Sequence, residues 1–231
     1  MSECLKVEAL TTGYGSTTIV REVSLTVQRG EVLCILGLNG AGKTTLLKAL
    51  AGLLPYTGSV SLNGANLSHK SGAVINRTGF AYVPQEQGVF PGLSVEEHLR
   101  LSRHFSDSNR LLQGQMLELF PTLKERFAQN AQTLSGGQRK MLGIVMALSS
   151  SPSLVVMDEP TEGVAPVVRE QLVNALKAIA DTVSVLIVEQ NLDTALALDG
   201  RGLVMEQGRI VASGSVREMY DSGQLEKLLA V

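Results

Sequence analysis

Nine consecutive residues constrain this chain most: Gly37-Leu-Asn-Gly-Ala-Gly-Lys-Thr-Thr45. They fit the phosphate-cradling pattern G-x-x-x-x-G-K-[ST]. The preceding run, Glu31-Val-Leu-Cys-Ile-Leu36, has the length and apolarity of a buried strand. The following Leu46, Leu47, Ala49 and Leu50 recur as on a helix that packs beneath that strand. Glycine lets the backbone curl into a ring of N–H donors and approach phosphate without a Cβ in the way. The helix start behind the ring adds partial positive charge. Gly37, Asn39, Gly40, Ala41, Gly42 and Thr45 are thus expected to line a nucleotide's phosphates. Lys43 supplies a point charge at the β- and γ-phosphates, and Thr44 a hydroxyl for Mg²⁺. A chance glycine-rich βα turn is the competing explanation, and the flanking strand and helix disfavour it.

Composition narrows the setting. The 231 residues suit one domain, or one domain carrying an inserted subdomain. At 44% apolar, the chain has enough aliphatic surface for a sizeable core. The formal net charge of −2 gives no electrostatic reason to expect nucleic acid. Cys4 and Cys34 are far apart in sequence, so neither a disulfide nor a metal site is expected, and the chain reads as intracellular. His69, His98 and His104 have no ligand spacing and are expected on the surface or on helices. The N-terminus has no signal-peptide-like apolar stretch, and no apolar run reaches the ~20 residues of a membrane span. Any membrane role is expected to come through a partner.

Along the chain, Leu5–Leu10 and Val23–Val27 alternate like half-solvated strands, with Thr11-Thr-Gly-Tyr-Gly15 as a turn-rich segment between them. Ser59–Leu62 runs into Asn63-Gly64, a strong hairpin signal. Phe80–Val83 is a short strand ending at Pro84-Gln85. The texture then turns helical. Ser94 to Glu97 forms a capping box, and Leu111, Leu112, Met116, Leu117 and Phe120 follow at helical spacing, more as core than as a binding surface. Beyond it, Met141, Ile144, Val145 and Leu148 form the apolar face of a helix, Leu154–Met157 and Val183–Val188 read as buried strands, and Val168, Leu172, Ala175 and Ile179 mark an amphipathic helix between those strands. Leu203–Val211 reads as a hairpin turning at Gln207-Gly208, and Ser215 with Glu218 as a final capping box. The expected class is α/β: a P-loop NTPase core on a mainly parallel sheet, an antiparallel β-subdomain and an inserted α-helical subdomain. Residues 1–84 and 135–231 form the core in this division, and 85–134 the insertion.

Two segments carry further chemistry. The strand from Leu154 ends in Asp158-Glu159. In open α/β sheets ligands lie beyond the strand C-termini, so Asp158 is expected at Mg²⁺ and Glu159 at the attacking water. Leu134-Ser-Gly-Gly-Gln138 is an ordinary helix start that also suits a phosphate, through the Ser135 hydroxyl and the Gly136 and Gly137 N–H groups. One nucleotide does not need two such sites.

With L-S-G-G-Q about twenty residues before a strand ending Asp-Glu, and both after a phosphate loop, the chain resembles the ATP-binding subunits of ABC transporters over essentially its whole length. The resemblance implies a head-to-tail dimer in which ATP lies between one subunit's phosphate loop and the other's Ser135, Gly136, Gly137 and Gln138. It further implies that Tyr14 stacks on adenine, where the alternative is a turn tyrosine packed on the β-layer. Gln85 is implied to contact Mg²⁺ and the attacking water, Thr44 and Asp158 to hold Mg²⁺, and Glu159 to be the catalytic base. The implied partners are a second ATP-binding subunit, transmembrane permease subunits and, indirectly, a solute-binding protein, at the cytoplasmic face of the membrane. Phe90 and Pro91 either meet a permease helix or pack within their own loop.

Two departures from the family pattern matter. Where a histidine is usual, this chain has Gln190, which can donate a hydrogen bond but cannot carry a proton near neutral pH. Where an aspartate commonly contacts the opposite subunit, the loop Glu162-Gly-Val-Ala-Pro166 has Ala165. Together with Val188-Glu-Gln-Asn191, that loop resembles an importer branch serving branched-chain amino acids or, in close relatives, urea and short amides. Val83-Pro-Gln-Glu86 leans slightly toward the urea type. Two other functions compete with the importer: a soluble ABC-type ATPase acting on DNA or ribosomes, and a nucleotide-binding regulatory subunit with little turnover. The charge argues against the first; Lys43, Asp158 and Glu159 argue against the second.

Overall fold

A computed structural model describes residues 2–86, 89–103 and 110–229. His104, and the side chains of Leu111, Leu112 and Met116, lie outside what is described. The chain opens with β1 (Glu3–Tyr14) and β2 (Thr17–Gln28), followed by β3 (Val32–Leu36) and α1 (Lys43–Leu50). Next come β4 (Tyr56–Leu62), β5 (Ala65–Asn66), α2 (Gly72–Asn76) and β6 (Phe80–Val83). Three helices follow: α3 (Val95–Arg103), α4 (Arg110–Leu119) and α5 (Pro121–Lys124). The remainder alternates: α6 (Gly136–Leu148), β7 (Leu154–Asp158), α7 (Pro166–Ile179), β8 (Ser184–Glu189), α8 (Leu192–Leu198), β9 (Arg201–Glu206) and β10 (Arg209–Ser215), closing with α9 (Val216–Asp221) and α10 (Gln224–Leu229).

The strands form two sheets. An antiparallel one runs β2-β1-β4-β5, and a second runs β10-β9-β3-β8-β7-β6. In the second, β9, β3, β8, β7 and β6 are mutually parallel, and only β10 is antiparallel. This sheet is covered on both faces, as its apolar runs predict. Leu33, Ile35, Leu154, Val156, Leu186 and Val188 point into the core shared with α1 and the antiparallel sheet. Their neighbours Cys34, Leu36, Val155, Met157, Val185 and Ile187 join the core formed with the helices, including Leu117 and Phe120. The period-2 alternation of strand side chains separates the two sets.

One expectation needs correction. Thr11 to Tyr14 is strand, and the turn is confined to Gly15-Ser16. Pairing on both sides overrides the local turn composition, since Thr12 faces both Val20 and Tyr56. Gly13 is required there by close approach: a Cβ on it would lie 1.9 Å from the Thr17 carbonyl oxygen. His98 is on a helix as expected, but it is fully buried. Its Nε2 accepts from the Phe90 N–H at 2.8 Å, and Nδ1 lies 2.8 Å from the Ser94 carbonyl. The expected turns at Asn63-Gly64 and Gln207-Gly208 are present, all four residues having positive φ.

The second of these turns supports the phosphate loop. Gly208 N–H donates to the Ala41 carbonyl at 2.9 Å, and Arg21 N–H donates to the Gly208 carbonyl at 2.8 Å. A Cβ on Gly208 would lie 1.8 Å from the Ile19 carbonyl oxygen, at a φ of +81°. Gly208→Ala is therefore expected to cost at least about 2 kcal/mol, a Tm drop of roughly 4–8 °C by thermal denaturation. An unchanged Tm would contradict this seating of the hairpin on the loop.

Candidate active site

Four neighbouring strand ends deliver the chemistry to one edge of the parallel sheet. In the order β3, β8, β7, β6, they lead into the Gly37 loop, Gln190, Asp158-Glu159 and Gln85. The register aligns them: Leu36 lies opposite Glu189, Asp158 opposite Val188, and Met157 opposite Val83. A parallel sheet places all these C-terminal ends on the same side.

The phosphate loop takes the expected form. Gly40 and Gly42 have φ of +81° and +102°, and α1 starts directly after Gly42. A Cβ on Gly37 would come within 2.4 Å of the Met205 carbonyl oxygen, so this position must be bare for β9 to pack beside it. A cavity of about 280 Å³ lies over the loop, lined by Tyr14, Ile19, residues 39–45, Gln85 and Glu159. Tyr14, half exposed, stands at its rim. Ser135 to Gln138 are not among the described residues that line it.

Glu159 is the hub. Its carboxylate lies 3.3 Å from Lys43 Nζ, and both residues are buried. It also accepts from Gln190 Nε2 at 2.9 Å and from Gln85 Nε2 at 3.4 Å. Gln190 Nε2 reaches Asn39 Oδ1 of the phosphate loop as well, at 2.5 Å. Lys43 additionally donates to the carbonyls of Gly37 and Leu38. The sequence-expected Lys43, Glu159, Gln85 and Gln190 are thus brought into mutual contact around one carboxylate.

Beside them, Thr44 Oγ1 donates to Asp158 Oδ1 at 3.0 Å, and the Tyr82 hydroxyl donates to Oδ2 at 3.3 Å. Burial holds the Asp158 carboxyl above its ordinary pKa, with the Thr44 hydrogen bond opposing. Hydroxyl, carboxylate and the free amide oxygen of Gln85 form a hard-oxygen donor set. It fits Mg²⁺, which is held through one or two carboxylates and completes its shell with other oxygens, phosphates and water. No cluster of three or more His, Cys, Asp or Glu suited to a metal occurs among the described residues.

At the second helix start expected to suit a phosphate, Ser135 Oγ accepts from Gln138 N–H at 3.3 Å, and Gln138 Oε1 accepts from Ser135 N–H at 3.0 Å. This capping box uses Gln138 to hold the turn while leaving the Ser135 O–H hydrogen directed by neither bond. Ser135 and Gly136 are exposed, and nothing lies within 4 Å of a Cβ on Gly136.

Two groups escaped the sequence expectations. Lys140 Nζ reaches across from α6 to the Glu159 carbonyl at 2.9 Å and the Glu162 carbonyl at 2.7 Å. Glu189, fully buried, accepts from the Thr161 N–H and hydroxyl at 3.2 and 2.8 Å. Lys140 adjoins the Ser-Gly-Gly-Gln segment, and Glu189 precedes Gln190, but their partners lie in distant sequence and no local pattern names them.

A model of the ABC transporter family matches residues 20–162. The chain is 39% identical over 223 residues to the high-affinity branched-chain amino acid transport ATP-binding protein BraG of Pseudomonas aeruginosa, covering 95% of this chain and 93% of that one. It is 31% identical to the probable branched-chain amino acid transport ATP-binding protein LivF of Archaeoglobus fulgidus, covering 97% of each. Among solved structures, the ADP conformation of MJ1267, an ATP-binding cassette of an ABC transporter, superposes with a TM-score of 0.84 at 27% identity, over 99% of this chain and 98% of that one.

The buried Glu189 generates a stability prediction. Desolvation raises its pKa above the ordinary carboxylate value, opposed by the hydrogen bonds from Thr161 and Asn191. A raised carboxyl pKa means the fold prefers the protonated form, so stability is lost as pH rises through the folded-state pKa. Glu189→Gln keeps an acceptor for Thr161 and removes the charge. It is expected to raise the Tm by a few degrees at pH 7.5, with the gain shrinking as pH falls through the raised folded-state pKa toward the ordinary carboxylate value. A lower Tm at pH 7.5, or a gain independent of pH, would contradict this.

Proposed function

The chain belongs to the ABC transporter family as an ATP-hydrolysing subunit, and from that premise we propose that it powers import of branched-chain amino acids through a membrane permease. Two full-length relatives named for branched-chain amino acid transport support that solute class over urea and short amides. No helix among the described residues is long and apolar enough to cross a membrane; in this reading coupling runs through separate permease subunits. A cavity of about 310 Å³ between β6, α3 and α6, lined by Tyr82, Pro84, Ser102 and Met146 among others, is the place for a permease helix. It lies where residues 85–134, the inserted helical subdomain in this reading, meet the ATP core. Phe90, 54% exposed and in tilted ring contact with His98, borders the same segment.

The observation that carries the site assignment is the convergence of Lys43, Gln85 and Gln190 on the Glu159 carboxylate at the mouth of the phosphate-loop cavity. ATP binds with its adenine on Tyr14 and its phosphates on the N–H groups of residues 39–45. The γ-phosphate then competes with Glu159 for Lys43, which frees the carboxylate to accept a proton from the attacking water. Gln190 keeps that carboxylate aimed through its amide N–H and carries no proton itself. Thr44, Asp158 and the Gln85 amide oxygen hold Mg²⁺, which neutralises phosphate charge when bound. A second ATP-binding subunit closes the site with its counterpart of Ser135, Gly136, Gly137 and Gln138, while this chain's own segment serves the neighbour. Ala165 and Pro166, both exposed, give the inter-subunit loop an apolar contact where an aspartate is usual.

Glu159→Gln tests the assignment in the assembled complex. ATP hydrolysis is expected to fall at least about a hundredfold while ATP binding persists. Unchanged turnover would mean that this carboxylate is not the base. The solute class is tested separately by measuring ATPase stimulation with a leucine-loaded binding protein. Stimulation is expected, and its absence alongside stimulation by another solute would overturn the assignment.

A further inference from the structure

Helix α6 begins at the Ser135–Gln138 segment, and one turn in, at Lys140, it reaches the catalytic turn of its own subunit. The half-buried Lys140 ammonium donates to the backbone carbonyls of Glu159 and Glu162, at 2.9 and 2.7 Å. These are charge-assisted bonds, stronger than neutral ones. The residue they grip is unusual. Glu159 has a φ of +45°, in the left-handed region that side-chain-bearing residues avoid, and it keeps that conformation only where its surroundings impose it. Its N–H is held by the Val188 carbonyl at 3.0 Å, and its carbonyl by Lys140. With both backbone groups held, the Cα–Cβ direction of Glu159 is set, and Gln85 and Gln190 hold the carboxylate at its end.

The turn is gripped from a second side. Gln85 Nε2 bridges the carboxylates of Glu159 and Glu162, so side chain and backbone of the same two residues are tied to different elements. Lys140 also faces the negative charges of Glu162, Glu189, Glu159 and Asp158. A neutral side chain there would leave two carbonyls without this donor and four carboxylates with less compensating charge.

We propose that Lys140 is a positioning residue for Glu159, and that it links the Ser135–Gln138 segment to the catalytic carboxylate of the same chain. The linking half rests on the reading in which that segment closes over a neighbouring subunit's ATP. When the segment engages the neighbour's phosphates, α6 and Lys140 move with it, and the Glu159 backbone follows. Each subunit thereby registers at its own base that the other's nucleotide is in place. Because Ala165 replaces the usual inter-subunit aspartate, this intra-subunit strut takes on a larger share of the communication between sites.

The test compares Lys140→Met and Lys140→Arg in the assembled complex. Lys140→Met is expected to lower kcat about tenfold or more, leave KM for ATP within about twofold, and abolish positive cooperativity in ATP concentration. Lys140→Arg, whose guanidinium can span both carbonyls, is expected to restore most of kcat. Unchanged kcat and cooperativity in Lys140→Met would overturn the proposal. So would a loss that merely tracks a fall in Tm and disappears at lower temperature, since that marks a purely structural role. Ser135→Arg in parallel separates the two claims. If it stops turnover, the shared-site reading holds and Lys140 is judged on its own result. If it is silent, the shared-site reading and the linking half fall together, and the kcat of Lys140→Met still decides the positioning half.

Discussion

The structure depends on a buried ion pair whose partners both have other work to do. Lys43 and Glu159 are 3.3 Å apart and shielded from water. Burying two charges costs desolvation that mutual attraction does not reliably repay, so such a pair is poor evidence for stability. It makes better sense as an exchangeable contact. In the proposed function a phosphate offers Lys43 a stronger anionic partner, and the carboxylate then turns from counter-ion to base. Gln190 and Gln85 keep Glu159 in place through that exchange, because their bonds to it do not depend on Lys43.

This arrangement requires the parallel sheet. Strands β3, β8, β7 and β6 are covered by apolar side chains on both faces and end at one edge. The segments beyond that edge carry Lys43, Gln85 and Gln190, which contact the Glu159 carboxylate. Strand β9 and the β9–β10 turn brace the phosphate loop from behind, through Met205 beside Gly37 and Gly42 and Gly208 on Ala41. Rigidity at the sheet edge thus becomes precision at the carboxylate.

Much of this was legible in the sequence where the signal is local. The phosphate loop, the strand ending in Asp158, the capping box at Ser94, the helix start at Ser135 and the Asn63-Gly64 turn all follow from short-range patterns. The strand through Thr11–Tyr14 was hidden because its glycine and threonines look like a turn until pairing with two neighbours is counted. Lys140 and Glu189 were hidden for a similar reason. A lysine on an amphipathic helix and a glutamate at a strand end have no distinctive spacing. Only the fold shows that one grips carbonyls nineteen and twenty-two positions away and the other holds Thr161 from twenty-eight. The Gln190 departure was visible, but its consequence was not: the amide bridges Asn39 and Glu159, joining the phosphate loop to the base.

The central claim is that nucleotide takes Lys43 away from Glu159 while Gln190 retains it. A crystal structure of the wild-type protein with a non-hydrolysable ATP analogue and Mg²⁺ tests this most directly. The account predicts Lys43 Nζ on the β- and γ-phosphates, beyond ion-pair distance of Glu159, with the carboxylate still accepting from Gln190 and facing a water in line with the γ-phosphate. An intact Lys43–Glu159 pair with phosphates bound, or a Glu159 released from Gln190 and turned away, would contradict it.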